Sequence, residues 1–180
     1  MSDLFIRAAD PARDGAACAA IYAPHVEGSA VSFEEQAPSA EELAARIERV
    51  AASHAWLVAE REGQVVGYAY ATTYNERQAY RWSASVSAYV ADGERGRGVG
   101  RALYEDLFER LRERGFRMAC AGITLPNEAS VALHESLGFE QTGLNRQIGW
   151  KHGAWRDVGW WQLELTPTGD GPPPEPLPPG

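Results

Sequence analysis

The stretch Ser83–Leu103, SASVSAYVADGERGRGVGRAL, decides the fold of this 180-residue chain. It predicts a strand that ends near Val90, then a basic loop rich in glycine, then a helix. In the helix, apolar residues recur four positions apart at Val99, Leu103 and Leu107, with charged residues on the other faces. A glycine loop between a strand and a helix can point several backbone N–H groups at one anion, so the stretch predicts a phosphate-binding turn.

The glycine loop taken alone leaves a second interpretation open. It lacks the Gly-Lys-Ser/Thr ending of the Walker A loop, and its glycine spacing fits the dinucleotide fingerprint poorly. It could instead be a tight strand-to-helix turn whose arginines are solvated. Arg95, Arg97 and Arg101 nevertheless concentrate positive charge in a chain of 17 basic and 25 acidic residues. This clustering favours a local anion site.

The composition indicates one ordinary globular domain, because 44% of the residues are hydrophobic and 10% are aromatic. A net charge of -8 argues against nucleic acid or an anionic membrane as the main partner. No apolar run approaches the roughly 20 residues that cross a bilayer, and the N-terminus lacks a signal-peptide core, so a cytoplasmic protein is expected. Cys18 and Cys120 lie far apart without CxxC spacing, which predicts two small core residues and neither a disulfide nor a metal site.

Periodicity outside the opening stretch predicts further strands and helices as far as residue 165. Ser39 and Glu42 form a predicted capping box for a helix with three apolar residues at helical spacing. The other predicted elements are the strand LFIRAA, a helix opened by Pro11, a hairpin of AWLVAE and QVVGYAYATT, the strand FRMACAGI, the helix NEASVALHESLG and the strand RDVGWWQLEL. The remainder, TPTGDGPPPEPLPPG, has too much proline and glycine to pack, so a domain of residues 1–165 is predicted to precede a disordered tail of residues 166–180.

A second motif follows about thirty residues after the glycine loop. The loop RGRGVG resembles the R-x-x-G-x-G/A pyrophosphate loop of the GCN5-related N-acetyltransferases, and NEASVALHESLGF resembles their downstream N-x-x-(A/S)-x-x-x-(Y/H)-x-x-x-G-F segment. Within that superfamily, VEGSAVSFEE, ERQAYRW and WKHGAWRDVGWWQLEL resemble segments of the phosphinothricin and methionine sulfoximine acetyltransferases. The resemblance covers roughly Ile6 to Leu165 and leaves the tail outside.

This resemblance implies a single mixed α/β domain whose strongly curved sheet is flanked by helices and splayed near its centre, so that acetyl-CoA lies in the gap. The residues that it assigns to the cofactor are Tyr89, Val90, Arg95, Gly96, Arg97, Gly98, Val99, Gly100, Arg101, Asn127 and Ser130. It also implies a homodimer. Trp150, Trp155, Trp160 and Trp161 could form the subunit contact or, as aromatics at strand spacing, the core.

The sequence departs from the resemblance at the position of the general base. Acetyl transfer to an amine needs a deprotonated nitrogen, a polarised thioester carbonyl and a proton for the leaving thiolate. In the related enzymes the base is usually a glutamate in a segment W-x-x-E-x-x-x-Y-V, and the corresponding segment here, WSASVSAYV, places Ser85 at that position. A serine hydroxyl cannot act as a general base, although it can hold a water molecule in line.

Three explanations for the missing glutamate remain open. His134, where many relatives carry a tyrosine or histidine beside the thiol, or Glu27, in the segment that resembles the substrate loop, could serve as base through water. Alternatively, the acceptor amine needs no base, because its small unprotonated fraction suffices when it is well positioned. Lastly, the protein could bind acyl-CoA without efficient turnover.

The acceptor is expected to be a small amino-acid-like amine of the phosphinothricin or methionine sulfoximine type. The resemblance assigns Phe33, Arg77 and Tyr80 to its pocket, where a bidentate arginine would suit a carboxylate or phosphinate, although Arg77 could equally be a solvated loop charge. Glu34 stands where related enzymes often have arginine, and either it faces water or it favours cationic acceptors. A polyamine, an aminoglycoside or a peptide N-terminus is therefore the alternative acceptor.

Overall fold

The computed structural model describes residues 3–169, 171 and 173–178, which form a mixed α/β fold with seven strands and four α-helices. The strands are β1 (Phe5–Ala8), β2 (Trp56–Arg61), β3 (Gln64–Thr73), β4 (Ser83–Val90), β5 (Met118–Leu125), β6 (Glu140–Lys151) and β7 (Ala154–Glu164). The helices are α1 (Pro11–Glu27), α2 (Ala40–Ala51), α3 (Val99–Glu113) and α4 (Glu128–Ser136). Strand β6 has no counterpart among the elements expected from periodicity; the predicted α/β class is confirmed.

The sheet is open and has the strand order β1-β2-β3-β4-β5-β7-β6. All neighbours are antiparallel except β4 and β5, which run parallel. These two strands pair only where Ser83–Ser85 face Met118–Cys120, and beyond this point their ladder ends. Because backbone N–H and C=O groups need partners when buried, the unpaired stretch of the two strands is a place where a ligand can bind. The splayed sheet expected from the resemblance is therefore present.

Two cores cover the two faces of the sheet. Helix α3 packs on one face through Leu103, Leu107 and Leu111, which meet Ala84 and Ala119 of the central strands. Helices α1 and α2 cover the other face, where their apolar residues meet aromatic side chains of β2 and β3. Since side chains alternate between the faces of a strand, the even-numbered residues of β4 pack toward α3 and the odd-numbered ones toward α1 and α2.

Local sequence signals are reproduced at the helix ends. The Ser39 hydroxyl accepts from the Glu42 N–H at 3.2 Å, and the Glu42 carboxylate accepts from the Ser39 N–H at 2.7 Å, which confirms the capping box of α2. Helix α1 begins at Pro11 as predicted. Cys18 and Cys120 are buried and unbridged, as predicted for core residues. Among the described residues, no helix is long and apolar enough to span a bilayer.

Residues 173–178 lie against the domain in this structure, and the disorder of residues 166–180 stays a prediction. Glu175 accepts two bonds of 2.6 Å from the Arg81 guanidinium, and Leu177 exchanges bonds of 2.8 and 3.0 Å with Arg114 at the end of α3. Proline and glycine prevent a helix or strand, but an extended segment can still dock through its carbonyls and one carboxylate. Residues 170, 172, 179 and 180 of the predicted tail lie outside the described residues.

Candidate active site

A groove of about 810 Å³ lies at the N-terminus of α3, between the diverging strand β4 and helix α4, and is here called the main groove. Ten of the eleven residues that the sequence assigns to the cofactor line it: Tyr89, Val90, Arg95, Gly96, Gly98, Val99, Gly100, Arg101, Asn127 and Ser130. The eleventh, Arg97, is not in the lining, and its guanidinium donates to Glu94 at 2.7 Å. The structure thus gathers the two sequence motifs around one cavity.

The glycine loop leaves the N-terminus of α3 open to the main groove. Gly96 and Gly98 have φ values of +72° and +81°, in the left-handed region where glycine is favoured. Gly98 is the N-cap of α3, and it provides no side-chain hydrogen bond to the first N–H groups of the helix. These donors and the positive end of the helix dipole can therefore bind an anion. The loop is therefore a tight turn whose geometry is also suited to an anion, and the anion site stays a prediction.

The arginines of the loop are partly neutralised by nearby acids. Arg95 pairs with Asp92 at 2.6 Å, and Glu94 pairs with both Arg97 and Arg61. Arg101 pairs with Glu105 at 3.2 Å and also donates to the backbone carbonyl and the hydroxyl of Ser136 in α4. An anion bound here would therefore depend more on the backbone N–H groups of the helix end than the number of arginines suggests.

A smaller cavity of about 60 Å³ continues the main groove into the gap between β4 and β5, and is here called the apical cavity. Ser87 of β4 and Gly122 of β5 form its two sides. Tyr104 and His134 line both cavities and connect them. A long ligand held at the glycine loop can therefore extend toward the point where the two strands separate.

His134 is buried, with 5% of its surface exposed, and both ring nitrogens have partners. Nδ1 lies 2.7 Å from the Ser130 carbonyl, which can only accept, so Nδ1 carries the proton and Nε2 accepts from the Tyr104 hydroxyl at 3.1 Å. Burial lowers the pKa of His134, although the Ser130 carbonyl opposes this effect, and burial raises the pKa of Tyr104. The pair is therefore neutral near pH 7.

Tyr104 is a groove residue that the sequence analysis missed. It is 1% exposed and lies on α3 next to the predicted apolar row, so the sequence marks it as one more core aromatic. Only the packing of α3 against α4 brings its hydroxyl to His134, which is 30 residues away.

His25 of α1 is a second groove residue without a sequence signal. Its ring packs edge-on against Tyr89, with centroids 5.2 Å apart, and its buried Nε2 has no hydrogen-bond partner among the described residues. Burial lowers the pKa of His25, and the nearby Arg95 lowers it further. A neutral ring with one unsatisfied nitrogen is suited to a hydrogen bond with a ligand in the main groove.

The other two proposed catalytic residues lie outside both cavities. Ser85 is half-buried at the last position of β4 that pairs with β5, opposite Cys120, and faces the α1 and α2 side of the sheet. Glu27 is exposed at the last position of α1. Ser85 therefore stands at the apex of the splay, whereas the position of Glu27 adds nothing to its predicted role, which stays a prediction.

The three proposed acceptor residues have separate surroundings. Phe33 packs on Gly149 of β6, where an added Cβ would overlap its ring. Tyr80 contacts Tyr74 edge-on at 5.7 Å, and Arg77 lines a separate groove of about 470 Å³ beside the docked tail. Their assignment to the acceptor also stays a prediction.

Glu34 neither faces water freely nor presents an unpaired charge. Its carboxylate accepts two bonds of 2.7 and 2.8 Å from Arg46 and one of 2.9 Å from the Tyr22 hydroxyl. The Arg46 hydrogen bonds lower the pKa of Glu34, against the opposing effect of burial. Since Arg46 neutralises the charge, the argument from Glu34 for a cationic acceptor loses its basis.

The splayed mixed sheet with a glycine loop at a helix N-terminus is shared with solved acetyltransferases, two of which contain acetyl-CoA. The sequence model of the acetyltransferase (GNAT) domain matches residues 6–160. The chain belongs to this family and is an acetyltransferase.

Relatives with assigned names cover most of the chain. It is 40% identical to the phosphinothricin N-acetyltransferase of Streptomyces viridochromogenes over 86% of this chain and 84% of that protein. It is 37% identical to the L-amino acid N-acyltransferase MnaT of Escherichia coli over 92% of this chain and 94% of that protein. The crystal structure of a phosphinothricin acetyltransferase from Sinorhizobium meliloti in complex with AcCoA has a TM-score of 0.91 and 36% identity, covering 98% of this chain and 96% of that one.

Proposed function

We propose that the chain transfers the acetyl group of acetyl-CoA directly to the primary amine of a small amino-acid-like acceptor, of the phosphinothricin or methionine sulfoximine type. The observation that carries this proposal is the continuous path from the glycine loop, through the main groove, to the apical cavity. The groove fits acetyl-CoA, because it combines anion-binding N–H groups at one end with the unpaired strand edges at the other. The names of the relatives support the acceptor class.

The residues of the groove suggest how protons are handled. The acceptor nitrogen bonds to the thioester carbonyl carbon, the C–S bond breaks, and the nitrogen loses a proton while the thiolate gains one. Tyr104 can take the proton on its oxygen while passing its own to Nε2 of His134, and the reverse transfer returns a proton to the thiolate. The lowered pKa of His134 leaves its imidazole neutral and Nε2 without a proton at neutral pH.

The proposed activity is tested by the steady-state rate of CoA release with L-phosphinothricin, L-methionine sulfoximine and spermidine, each from pH 6 to 9. We expect saturable release with one or both amino-acid-like acceptors and a small rate with spermidine. A preference for spermidine would select the alternative acceptor class. Tight acetyl-CoA binding without turnover on a broad amine panel would identify a binding module instead.

Replacing Tyr104 with phenylalanine should lower kcat about tenfold and leave the KM for acetyl-CoA unchanged, because the proton must then find a route through water. Steady-state rates measure both quantities. Combining Tyr104→Phe with Ser85→Glu should recover part of kcat, since the new carboxylate at the apex of the splay offers a separate base. An unchanged kcat for Tyr104→Phe would exclude the relay.

We further infer that the chain forms a homodimer through the edge of the sheet at β6. Three large apolar side chains of the β6–β7 hairpin are more than half exposed, namely Ile148, Trp150 and Trp155. Trp161, by contrast, is buried, and Trp160 packs on Gly122, so the tryptophan cluster divides between surface and core. An exposed apolar patch on an edge strand favours a protein partner. Sedimentation showing a monomer at micromolar concentration would contradict this inference.

We also propose that the protein is cytoplasmic, because of the state of its two cysteines. Both cysteines are free and buried, as expected for a protein of a reducing compartment such as the cytoplasm. Burial raises the pKa values of Cys18 and Cys120, which keeps the thiols protonated and unreactive. Fractionation of cells that express the chain would test this placement.

A further inference from the structure

A groove of about 470 Å³ lies where the end of α2, the loop between β3 and β4 and the end of α3 meet, and is here called the tail groove. It shares no lining residue with the main groove. Residues 173–178 run along one side of it, and the last four of them, from Glu175 on, belong to its lining. The resemblance ends at Leu165, so it assigns no role to this segment.

The segment is suited to binding in one extended conformation. Four of the six residues 173–178 are proline, which fixes φ and removes the N–H donor. Proline-rich chains favour the polyproline II conformation, in which backbone carbonyls have no partner within the chain. Because proline already restricts the free chain, ordering such a segment costs less entropy than ordering an ordinary one. The segment therefore offers carbonyls, one carboxylate and the N–H groups of Glu175 and Leu177 to a binding surface.

The domain supplies matching donors and an acceptor at the tail groove. The Trp82 indole N–H donates to the Pro174 carbonyl at 2.8 Å. Arg114 donates from Nε to the Leu177 carbonyl at 3.0 Å, and the Leu177 N–H donates to the Arg114 carbonyl at 2.8 Å. An aromatic N–H and backbone pairing are the usual means by which proteins bind extended peptides. The segment is thus bound mainly through its backbone.

Glu175 determines which residues of the segment face which groups of the groove. Arg81 donates from Nε and Nη2 to its two carboxylate oxygens, both at 2.6 Å, in a bidentate pair. The same guanidinium lies 3.6 Å from the centroid of the Trp82 ring, so a cation and an aromatic face form one wall. Glu175 is the one acidic residue in residues 173–178, and its pairing therefore selects a single register.

Arg81 also joins the segment to the loop between β3 and β4. Its Nη1 donates to the Gln78 carbonyl at 2.8 Å, and Arg81 is the C-cap of the 3₁₀ turn Gln78–Tyr80. One guanidinium thus bonds both to the loop and to the segment. The loop carries Arg77 and Tyr80, which the resemblance assigns to the acceptor. Docking of the segment therefore restrains the part of the chain that holds these two residues.

We propose that the tail groove is a binding site for an extended, acidic, proline-rich segment, and that its occupant is residues 173–178 of the same chain. The docked segment is a strap that keeps the loop between β3 and β4 in one conformation. The docking itself is independent of the proposed function. Its consequence for the acceptor rests on the proposed function and on the assignment of Arg77 and Tyr80.

NMR relaxation of the full chain tests the docking, since Glu175 and Leu177 have the only amide N–H groups in residues 173–178. The order parameter of the Leu177 amide is expected to be about 0.85, as in rigid backbone, and to fall below about 0.6 in the double variant Trp82→Phe with Glu175→Gln. This variant removes the indole donor and the paired carboxylate. The order parameters of the 3₁₀ turn should fall with that of Leu177.

Asp106→Asn is the matched control. It removes a carboxylate that pairs with an arginine of α3, Arg110, and neither residue lines the tail groove. The order parameters of Leu177 and of the 3₁₀ turn should stay unchanged in this variant.

Steady-state kinetics test the consequence for the acceptor. The double variant is expected to raise the KM for L-methionine sulfoximine about two- to fivefold, because the loop then samples several conformations. The KM for acetyl-CoA should stay unchanged, since the main groove keeps all of its residues.

Each outcome decides one part of the inference. A Leu177 order parameter below about 0.6 in the unmodified protein would overturn the docking and support the predicted disorder. A value that falls on dilution would assign the groove to the tail of a second copy and overturn docking within one chain. A released tail beside an unchanged loop would overturn the strap, and a loosened loop with an unchanged acceptor KM would overturn the link to the acceptor. If the unmodified protein acetylates neither amino-acid-like acceptor, the proposed function fails, while the order parameters still decide the docking.

Discussion

Replacing Gly98 with valine is expected to weaken CoA binding about 10- to 150-fold, with the same factor in the KM for acetyl-CoA. Gly98 adopts a φ of +81° at the N-cap of α3, and a β-branched residue reaches this conformation only with strain. Relieving the strain turns the first N–H groups of α3 away from the anion. Losing one such charge-assisted bond costs about 1.5–3 kcal/mol, which corresponds to this range. Calorimetry with CoA measures the change without an acceptor.

Gly63→Val is the matched control for this variant. Gly63 has a φ of +77° in the turn between β2 and β3, and an added Cβ there, as at Gly98, would meet nothing within 4 Å. Both substitutions introduce the same kind of backbone strain, but only Gly98 lines the main groove. Gly63→Val should therefore lower the unfolding temperature without changing the affinity for CoA. Equal weakening in both variants would show that general destabilisation, and not the anion site, is responsible.

Replacing Asp14 with alanine is expected to lower the free energy of unfolding by about 3 kcal/mol at pH 7. The Asp14 side chain is fully buried at the start of α1, where it accepts bonds of 2.6 and 2.7 Å from Arg7 and one of 2.7 Å from the Asp10 N–H. Removing it leaves the partly buried Arg7 with Glu60 as its one charged partner among the described residues. Denaturant unfolding followed by circular dichroism measures the difference.

The pH dependence of this difference follows from the direction of the pKa shift. Burial by itself would raise the pKa of Asp14, but the hydrogen bonds from Arg7 and Asp10 outweigh it and lower the pKa. A lowered pKa in the folded state contributes stability above the unfolded value of about 3.9, and this stability is lost as the pH falls through the folded value. The gap between the unmodified protein and Asp14→Ala should therefore narrow below about pH 4.

Asp106→Ala serves as the control for charge removal alone. Asp106 pairs with Arg110 one turn away on α3, but both side chains are partly exposed to water. Its loss should change the free energy of unfolding by no more than about 0.5 kcal/mol. A loss as large as that of Asp14→Ala would mean that burial is not the reason for the importance of Asp14.

The elements that the sequence predicted are those whose signals are local. The strand, glycine loop and helix of Ser83–Leu103 follow from chain geometry within about twenty residues. The capping box of α2 depends on two residues three positions apart. Strand β6 was missed because it is an exposed edge strand, so its side chains need not alternate between apolar and polar.

Many residues of the main groove were likewise predicted, since ten of the eleven residues assigned to the cofactor line it. Their common position follows from two ordered motifs that lie at neighbouring helix starts. Arg97 does not line the groove, and its guanidinium pairs with Glu94 instead. Such pairing depends on side-chain positions that no motif specifies.

Only the tertiary structure decided which side chains become partners when they lie far apart along the chain. Tyr104 reaches His134 across 30 residues, and Glu175 in the proline-rich tail reaches Arg81 across 94. The sequence by itself predicted the strand, glycine loop and helix from backbone preferences and hydrophobic periodicity, and its two ordered motifs carried the resemblance that implied the fold class and the family. Long-range polar pairing depends on how the helices and strands pack, and a hydrogen bond requires its two atoms to come within about 3 Å of each other.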